Sequence, residues 1–170
     1  RFVYVSTPSL YFEYKDRLNI AETASLPLRS INAYAKTKHL AEAVVDQAFS
    51  QGLPAITIRP RAIFGPYDQV LFPRVLKACR QSGLPQFKKQ SPLVDITFVD
   101  NAAYALYLAL IAPVSCLGQK YNITNGEPLP LWEILQLLLS KLAIPCKLRP
   151  VPYPLAYSAA WFAEMLSRIT

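Results

Sequence analysis

Glycine is scarce in this 170-residue chain: Gly52, Gly65, Gly83, Gly118 and Gly126 are the only five. No two lie close enough to cradle a phosphate, which excludes a Gly-x-Gly-x-x-Gly turn or a P-loop within it. Methionine is scarcer, with Met165 alone, and the chain opens on the apolar run Arg1-Phe-Val-Tyr-Val-Ser6 without a start residue or leader. The expectation is therefore an internal fragment. Cysteine is limited to Cys79, Cys116 and Cys146, an odd number with no CxxC and no histidine at ligand spacing. Reduced, buried thiols are expected, and no metal site. His39 is the single histidine and is expected to be a partly exposed helix residue. No apolar run approaches the roughly 20 residues of a membrane-spanning helix, and no signal peptide is expected.

What the chain does contain is apolar material. Hydrophobic residues make up 52 % and charged residues 17 %, enough for a core and too little charge for disorder. The length fits one domain or a large piece of one. Eighteen basic against eleven acidic side chains give a net charge of +7. That excess fits a polyanion partner, a phosphate-bearing cofactor or an acidic segment lying elsewhere. The basic residues are scattered, with short clusters only at Lys36/Lys38 and Lys88/Lys89 and no stripe interleaved with aromatics, so no nucleic-acid partner is expected.

Residues 2–6 are apolar and β-rich and end at Thr7-Pro8-Ser9, which reads as a buried strand running into a loop. Residues 15–29 read as a surface excursion. A helical period runs from about Asn32 to Ser50 with Gly52 as its stop, and Ala55-Ile-Thr-Ile-Arg-Pro60 reads as a second strand. Strand, long helix and strand make a crossover, hence a parallel sheet with ligands near the carboxyl ends of its strands. Beyond Phe64-Gly65-Pro66 the pattern predicts an amphipathic helix over 70–81, a loop over 83–91 and an extended segment over 95–99. Asp100 is expected to cap a helix running to about Ile111. A strand over 121–124, a turn at Asn125-Gly126, a leucine-rich helix over 131–142, a short strand over 147–151 and a last helix over 156–169 complete the order. The leucine-rich helix is too short for a zipper and is expected to be core or pocket wall. The aromatic segment 153–169 fits either a cap over a substrate pocket or a membrane-surface helix.

Tyr34-Ala-Lys-Thr-Lys38 sits in the first turns of the long helix, and a spacing of four places the phenol and the ammonium on one face. A free phenol titrates near 10 and is a poor base at neutral pH, whereas a cation beside it favours phenolate and equips it for acid/base work. The strand ending at Ser6-Thr7 brings a hydroxyl toward the same crevice.

A Ser/Thr hydroxyl, a tyrosine and a lysine form the acid/base set of the short-chain dehydrogenase/reductase superfamily, and the chain resembles its extended branch over essentially its whole length. The resemblance is carried by Phe2-Val-Tyr-Val-Ser-Thr7, Tyr34-x-x-x-Lys38, Arg59-Pro-Arg-Ala-Ile-Phe-Gly-Pro66, Val94-Asp-Ile-Thr-Phe-Val-Asp-Asn101 and Tyr121-Asn-Ile-Thr-Asn-Gly-Glu-Pro128. Their wording is most similar to the 3β-hydroxysteroid dehydrogenase family, in particular the sterol-4α-carboxylate 3-dehydrogenase type and bacterial reducers of long-chain β-keto acids. The implied fold is α/β: the C-terminal part of a Rossmann-like parallel sheet with helices on both faces, plus a small substrate-binding α/β region. Residues 1–65 would be the second half of the nucleotide domain, 66–94 a substrate-side insertion, 95–125 the return to the sheet and 126–170 the substrate-binding C-terminal region.

The resemblance implies that Thr7 polarises the substrate oxygen, Tyr34 exchanges the proton, and Lys38 holds the nicotinamide ribose and tunes Tyr34. Ser6, Tyr34, Lys38, Pro60, Arg61, Ala62 and Ile63 would line the cofactor, NAD or NADP. Ser9, Arg61 and Val94 would lie on the substrate side. Nucleotide-sugar epimerases and dehydratases usually carry an arginine where this chain has Val94, and without that bidentate clamp on a diphosphate the sugar-nucleotide reading is the weaker alternative. A non-catalytic NAD(P)-binding relative is a third reading, against which stands the intact Thr/Tyr/Lys set. The implied function is oxidation or reduction of a secondary alcohol or ketone on a small apolar molecule, a 3β-hydroxysteroid, sterol carboxylate or long-chain β-hydroxy or β-keto acid. With a β-carboxylate present, oxidation would give a β-keto acid able to lose CO₂ unaided. The helix carrying Tyr34 is often a dimer face in this superfamily, so the resemblance points to a homodimer. The reduced thiols fit a cytoplasmic protein, and peripheral membrane contact belongs to the membrane-surface alternative for segment 153–169.

Overall fold

A computed structural model describes residues 1–86 and 91–152, together with 154, 156–158, 161, 163 and 165. Its residues group into two compact units, one of Arg1–Tyr67 with Asp95–Pro128 and one of Asp68–Val94 with Leu129–Thr170.

The first unit is built on three parallel strands, β1 (Phe2–Val5), β2 (Ala55–Pro60) and β7 (Lys120–Ile123), in the order β1-β2-β7. Phe2 faces Ala55 and Val5 faces Ile58, and on the other side Thr57 faces Lys120 and Pro60 faces Ile123. All six residues of β2 are buried, so its two faces meet two layers. Ile56 and Ile58 point to one side and join Ala109, Leu106 and Val3 in a core against α3 (Val99–Ile111). Each aliphatic side chain so buried contributes about 1.5–3 kcal/mol. Arg59, of opposite parity, points to α1 (Ala33–Ser50). The parallel sheet is thus what the crossover pattern implied, and the helix on either face what the resemblance implied.

Local chemistry sets the ends of these helices. Asn32 caps α1, its Oδ1 accepting the Ala35 N–H at 2.8 Å. Arg1 donates to the last carbonyls of α3, at 2.9 Å to Leu110, and to Ala112. The start of α3 differs from expectation: the helix begins at Val99, with Asp100 inside its first turn. The Asn125 side chain fixes this start, its Oδ1 accepting the Phe98 N–H and the Asn101 amide, both at 2.9 Å. A short pair, β3 (Ile63–Phe64) with β6 (Thr97–Phe98), lies beside it. Gly65, at φ +146°, is required there, because a Cβ would stand 2.6 Å from Val99 Cγ1.

The second unit packs α2 (Leu71–Gln81) and α4 (Leu131–Lys141) around Cys79, Leu84 and Leu139. Asp68 accepts from the Val70, Leu71 and Phe72 N–H groups ahead of α2. Two strand pairs accompany the helices: β4 (Leu84–Gln86) parallel to β9 (Leu148–Pro150), and β5 (Leu93–Val94) antiparallel to β8 (Leu129–Pro130). The loop expected over 83–91 is therefore partly a strand, made so by a partner more than sixty residues away. Gly83, at φ +79°, permits that approach, since a Cβ would lie 2.2 Å from the Lys147 carbonyl oxygen. The cysteines also differ from expectation. Cys79 and Cys146 form a disulfide, their Cα atoms 4.8 Å apart, and Cys116 alone is free. Their spacing of 67 in sequence hides a proximity that the packing of α2 against the approach to β9 creates. Lys88 and Lys89 lie outside the described residues, as does much of the aromatic segment 153–169, whose described members from 154 to 165 are helical. Among the described residues no helix is long and apolar enough to cross a membrane.

Candidate active site

Ser6 and Thr7 follow the end of β1, where Lys38 also bonds, and residues 61–63 follow the end of β2. Thr7, the second residue past β1, is extended and buried and caps a 3-10 turn, Pro8–Tyr11. Its Oγ1 accepts the Ser9 N–H at 3.2 Å and donates to Ser9 Oγ at 3.1 Å. Ser6 is held by its N–H to the Ile58 carbonyl at 2.7 Å. Its buried hydroxyl lies beside the Glu42 carboxylate without a hydrogen bond of good geometry.

Tyr34 lies in the first turn of α1 and is 54 % exposed, enough to meet a ligand directly. Lys38, one turn on, donates from Nζ to the Val5 carbonyl at 3.0 Å and lies 5.3 Å from the Tyr4 ring centroid. The ammonium expected to serve a ligand thus also holds the last residue of β1. It has three donors, so one carbonyl does not exhaust it. The 3-10 turn carrying Thr7 and the helix carrying Tyr34 and Lys38 pack on one another.

Beyond β2, Pro60 is buried while Arg61, Ala62 and Ile63 are exposed. Ala62 adopts φ +44°, a left-handed conformation costly for a residue with a Cβ. Its neighbours hold it there. The Arg61 N–H donates to the Ile123 carbonyl at 3.0 Å. Thr97, fully buried, directs Oγ1 to the carbonyls of Arg61 at 2.7 Å and Ile123 at 2.9 Å. Of the remaining candidates, Ser9 stays with Thr7, whereas Val94 sits in β5 of the second unit.

Sequence reasoning missed a buried ionic network beneath these groups. Arg59 Nε donates to Glu42 Oε1 at 2.8 Å and a terminal nitrogen donates to Oε2 at 2.5 Å, both side chains being 3 % exposed. The other terminal nitrogen donates to the Tyr11 hydroxyl, and the Tyr11 ring centroid lies 5.1 Å from Arg59 Cζ. Tyr11 donates onward to Asn122 Oδ1 at 3.4 Å. Burial pushes the Glu42 carboxyl up, but hydrogen bonds from Arg59, help from Ser6 and the charges of Arg59 and Lys120 outweigh it. The group is held below its ordinary 4.5. Burial pushes Arg59 down, and Glu42 and Tyr11 outweigh that in turn, so it is held above its ordinary value. The available signals were a charged residue inside an otherwise apolar strand and a carboxylate one turn beyond Lys38.

The arrangement suits a ligand with a reacting oxygen near Thr7 and Tyr34 and a hydroxylated group near Lys38. Tyr34, Lys38 and the main chain of 60–63 fit the nicotinamide end of a dinucleotide, at the carboxyl ends of adjacent parallel strands. The five dispersed glycines provide no cradle for its diphosphate.

A family model described as the 3-beta hydroxysteroid dehydrogenase/isomerase family matches residues 1–152. The chain is similar to the uncharacterized protein YbjS of Escherichia coli, 38 % identical over 98 % of the chain and 51 % of that protein. It is also similar to the 2-alkyl-3-oxoalkanoate reductase of Shewanella oneidensis, 34 % identical over 99 % of the chain and 46 % of that protein. It therefore spans about half the length of these relatives. Among solved structures, UDP-glucuronic acid 4-epimerase from Bacillus cereus in complex with NAD superposes with a TM-score of 0.73. At 21 % identity, over 89 % of this chain and 49 % of that one, the likeness concerns the fold alone.

Proposed function

The chain belongs to the 3-beta hydroxysteroid dehydrogenase/isomerase family, and on that premise we propose that the protein is an NAD(P)-dependent oxidoreductase. It interconverts a secondary alcohol and a ketone on an apolar substrate in which the reacting carbon lies β to a carboxylate. The observation that supports this reading is Lys38 bonded to the last residue of β1, one turn from an exposed Tyr34, on a helix packed against the turn that Thr7 caps. The 3-oxo acid named for the Shewanella relative supports the substrate class. When bound, the nicotinamide supplies or accepts the hydride at the carbinol carbon.

Tyr34, exposed on the first turn of α1, gives the proton to the reacting oxygen in reduction and takes it in oxidation. Thr7 carries a single hydroxyl proton, now directed to Ser9 Oγ. Turned to the substrate it stabilises the charge developing on that oxygen, while the Ser9 N–H keeps hold of Oγ1. Lys38 anchors the end of β1 through Val5 and presents its remaining donors to the cofactor ribose. The left-handed turn at Ala62 sets main chain, and not a bulky side chain, along the ring.

Tyr34→Phe in the full-length protein tests the assignment, with a 2-alkyl-3-oxo acid and either reduced cofactor. Turnover is expected to fall on the order of 10²- to 10⁴-fold, with cofactor affinity nearly unchanged. Full activity in that variant would refute it.

A further inference from the structure

Glu42, Arg59 and Tyr11 occupy a particular place relative to the groups above. Glu42 lies four residues beyond Lys38 on α1, and Tyr11 is the last residue of the 3-10 turn that Thr7 caps. Arg59, on β2 between them, reaches both with one planar guanidinium: two parallel bonds to the Glu42 carboxylate and one bond to the hydroxyl of Tyr11, whose ring centroid lies 5.1 Å from Cζ. Tyr11 continues to Asn122 on β7, whose own N–H donates to the Glu22 carboxylate at 2.7 Å and whose amide donates to the Ile20 carbonyl at 3.1 Å. One continuous network thus joins the helix carrying Tyr34, the turn carrying Thr7 and two strands of the sheet.

A buried ion pair is a poor device for stability alone. Each ion loses several kcal/mol of hydration, and well-packed apolar residues of similar volume often serve as well or better. What apolar packing does not supply is direction. A bidentate fork fixes the mutual orientation of its partners, and a bond from the remaining terminal nitrogen directs a third group.

Resting on the acid/base reading of Thr7 and Tyr34, we infer that Tyr11, Arg59 and Glu42 are positioning residues: the guanidinium sets the distance between the Thr7 hydroxyl and the Tyr34 phenol by holding the turn and the helix in one register. None of the three touches the reacting atoms. Their influence is exerted through Thr7 on one side and the Tyr34/Lys38 helix on the other. Tyr11 is the informative position, because removing its hydroxyl leaves both bonds of the Glu42–Arg59 fork in place and cuts the bond that ties the turn to the guanidinium.

The test compares Tyr11→Phe, Thr7→Ala, the double variant and Tyr34→Phe in the full-length protein. It uses a 2-alkyl-3-oxo acid and reduced nicotinamide cofactor, with active sites counted by cofactor titration. For Tyr11→Phe, kcat per active site is expected to drop roughly 10- to 100-fold, with both KM values within about twofold of the parent. The solvent deuterium isotope effect on kcat should rise as proton transfer becomes slower. In the Thr7→Ala background the same change should add nothing, since the group it positions is gone. A Tyr11→Phe protein that melts earlier yet turns over at the parent rate per active site would show a merely structural role and overturn the inference. So would equal losses with and without Thr7. If Tyr34→Phe remains fully active, the acid/base reading fails and the inference falls with it. If Tyr34→Phe is dead while Tyr11→Phe is unimpaired, only the inference falls.

Discussion

Glu42 and Arg59 show how much one pair of residues settles. Each is 3 % exposed, and stranding either charge in the core costs about 3–5 kcal/mol. Glu42→Leu is therefore expected to lower the unfolding free energy by about that amount at neutral pH, measured by urea titration. The pH dependence has a definite sign. Glu42 titrates below its ordinary 4.5 in the folded chain, so between that lowered value and 4.5 the unfolded state binds more protons. The pair's contribution is complete above pH 4.5 and is lost as the pH falls through the folded-state value. In Glu42→Gln this loss is absent; identical acid limbs for the two proteins would contradict the assignment. Legibility at this scale followed distance along the chain. Tyr34 and Lys38 stand at a four-residue spacing on a helix and Thr7 just past a strand, local features that the resemblance to a known family made legible. Arg59 does not, because its partners Glu42 and Tyr11 are found only once helix and turn are laid against β2. The commitment of Lys38 to the Val5 carbonyl, 33 residues away, is hidden for the same reason.

At the scale of elements, α1 carries both Tyr34 and Lys38, and its amino-terminal turn holds the phenol. Asn32 supplies the side-chain cap of a helix whose second residue is Tyr34, and Lys120 ties the far half of that helix to β7 through Asp46 at 2.7 Å. Losing an N-cap costs about 1 kcal/mol. Because the carboxyl half stays anchored, Asn32→Ala should fray only the first turn, where the phenol sits. Amide exchange at residues 33–37 should quicken while that at 42–50 is unchanged. Asn32→Ser should restore the slow exchange; fraying spread evenly along the helix would oppose this account. Both α1 and β2 were legible because their periods of 3.6 and of continuous apolar burial are local properties. The start of α3 was not, since the Asn125 side chain that holds Phe98 and Asn101 comes from beyond the end of β7. Nor was β4, a three-residue segment containing Pro85 that is a strand only by virtue of β9.

The whole chain divides its duties unevenly, and the second unit is the harder one to assemble. Its two stretches, 68–94 and 129–170, are separated in sequence by 95–128, which belongs to the first unit. Bringing them together closes a long loop at an entropic cost, met by two short strand pairs, the small core around Cys79, Leu84 and Leu139, and the Cys79–Cys146 bridge. A cross-link over 67 residues removes loop entropy from the unfolded chain worth about 4 kcal/mol, a large share of any single unit's stability. The first unit, also built of two stretches, holds no disulfide, since Cys116 is unpaired, and its β1, α1 and β2 follow one another directly. Reduction, or paired replacement of Cys79 and Cys146 by alanine, should therefore act selectively. Amide protection over 71–81 and 131–141 is expected to fall, while that over 33–50 and 55–60 holds, as read by hydrogen exchange with and without reductant. Equal loss in both sets of segments would mean that the units unfold as one. Unchanged protection in the second unit would mean that its strands and core suffice without the bridge.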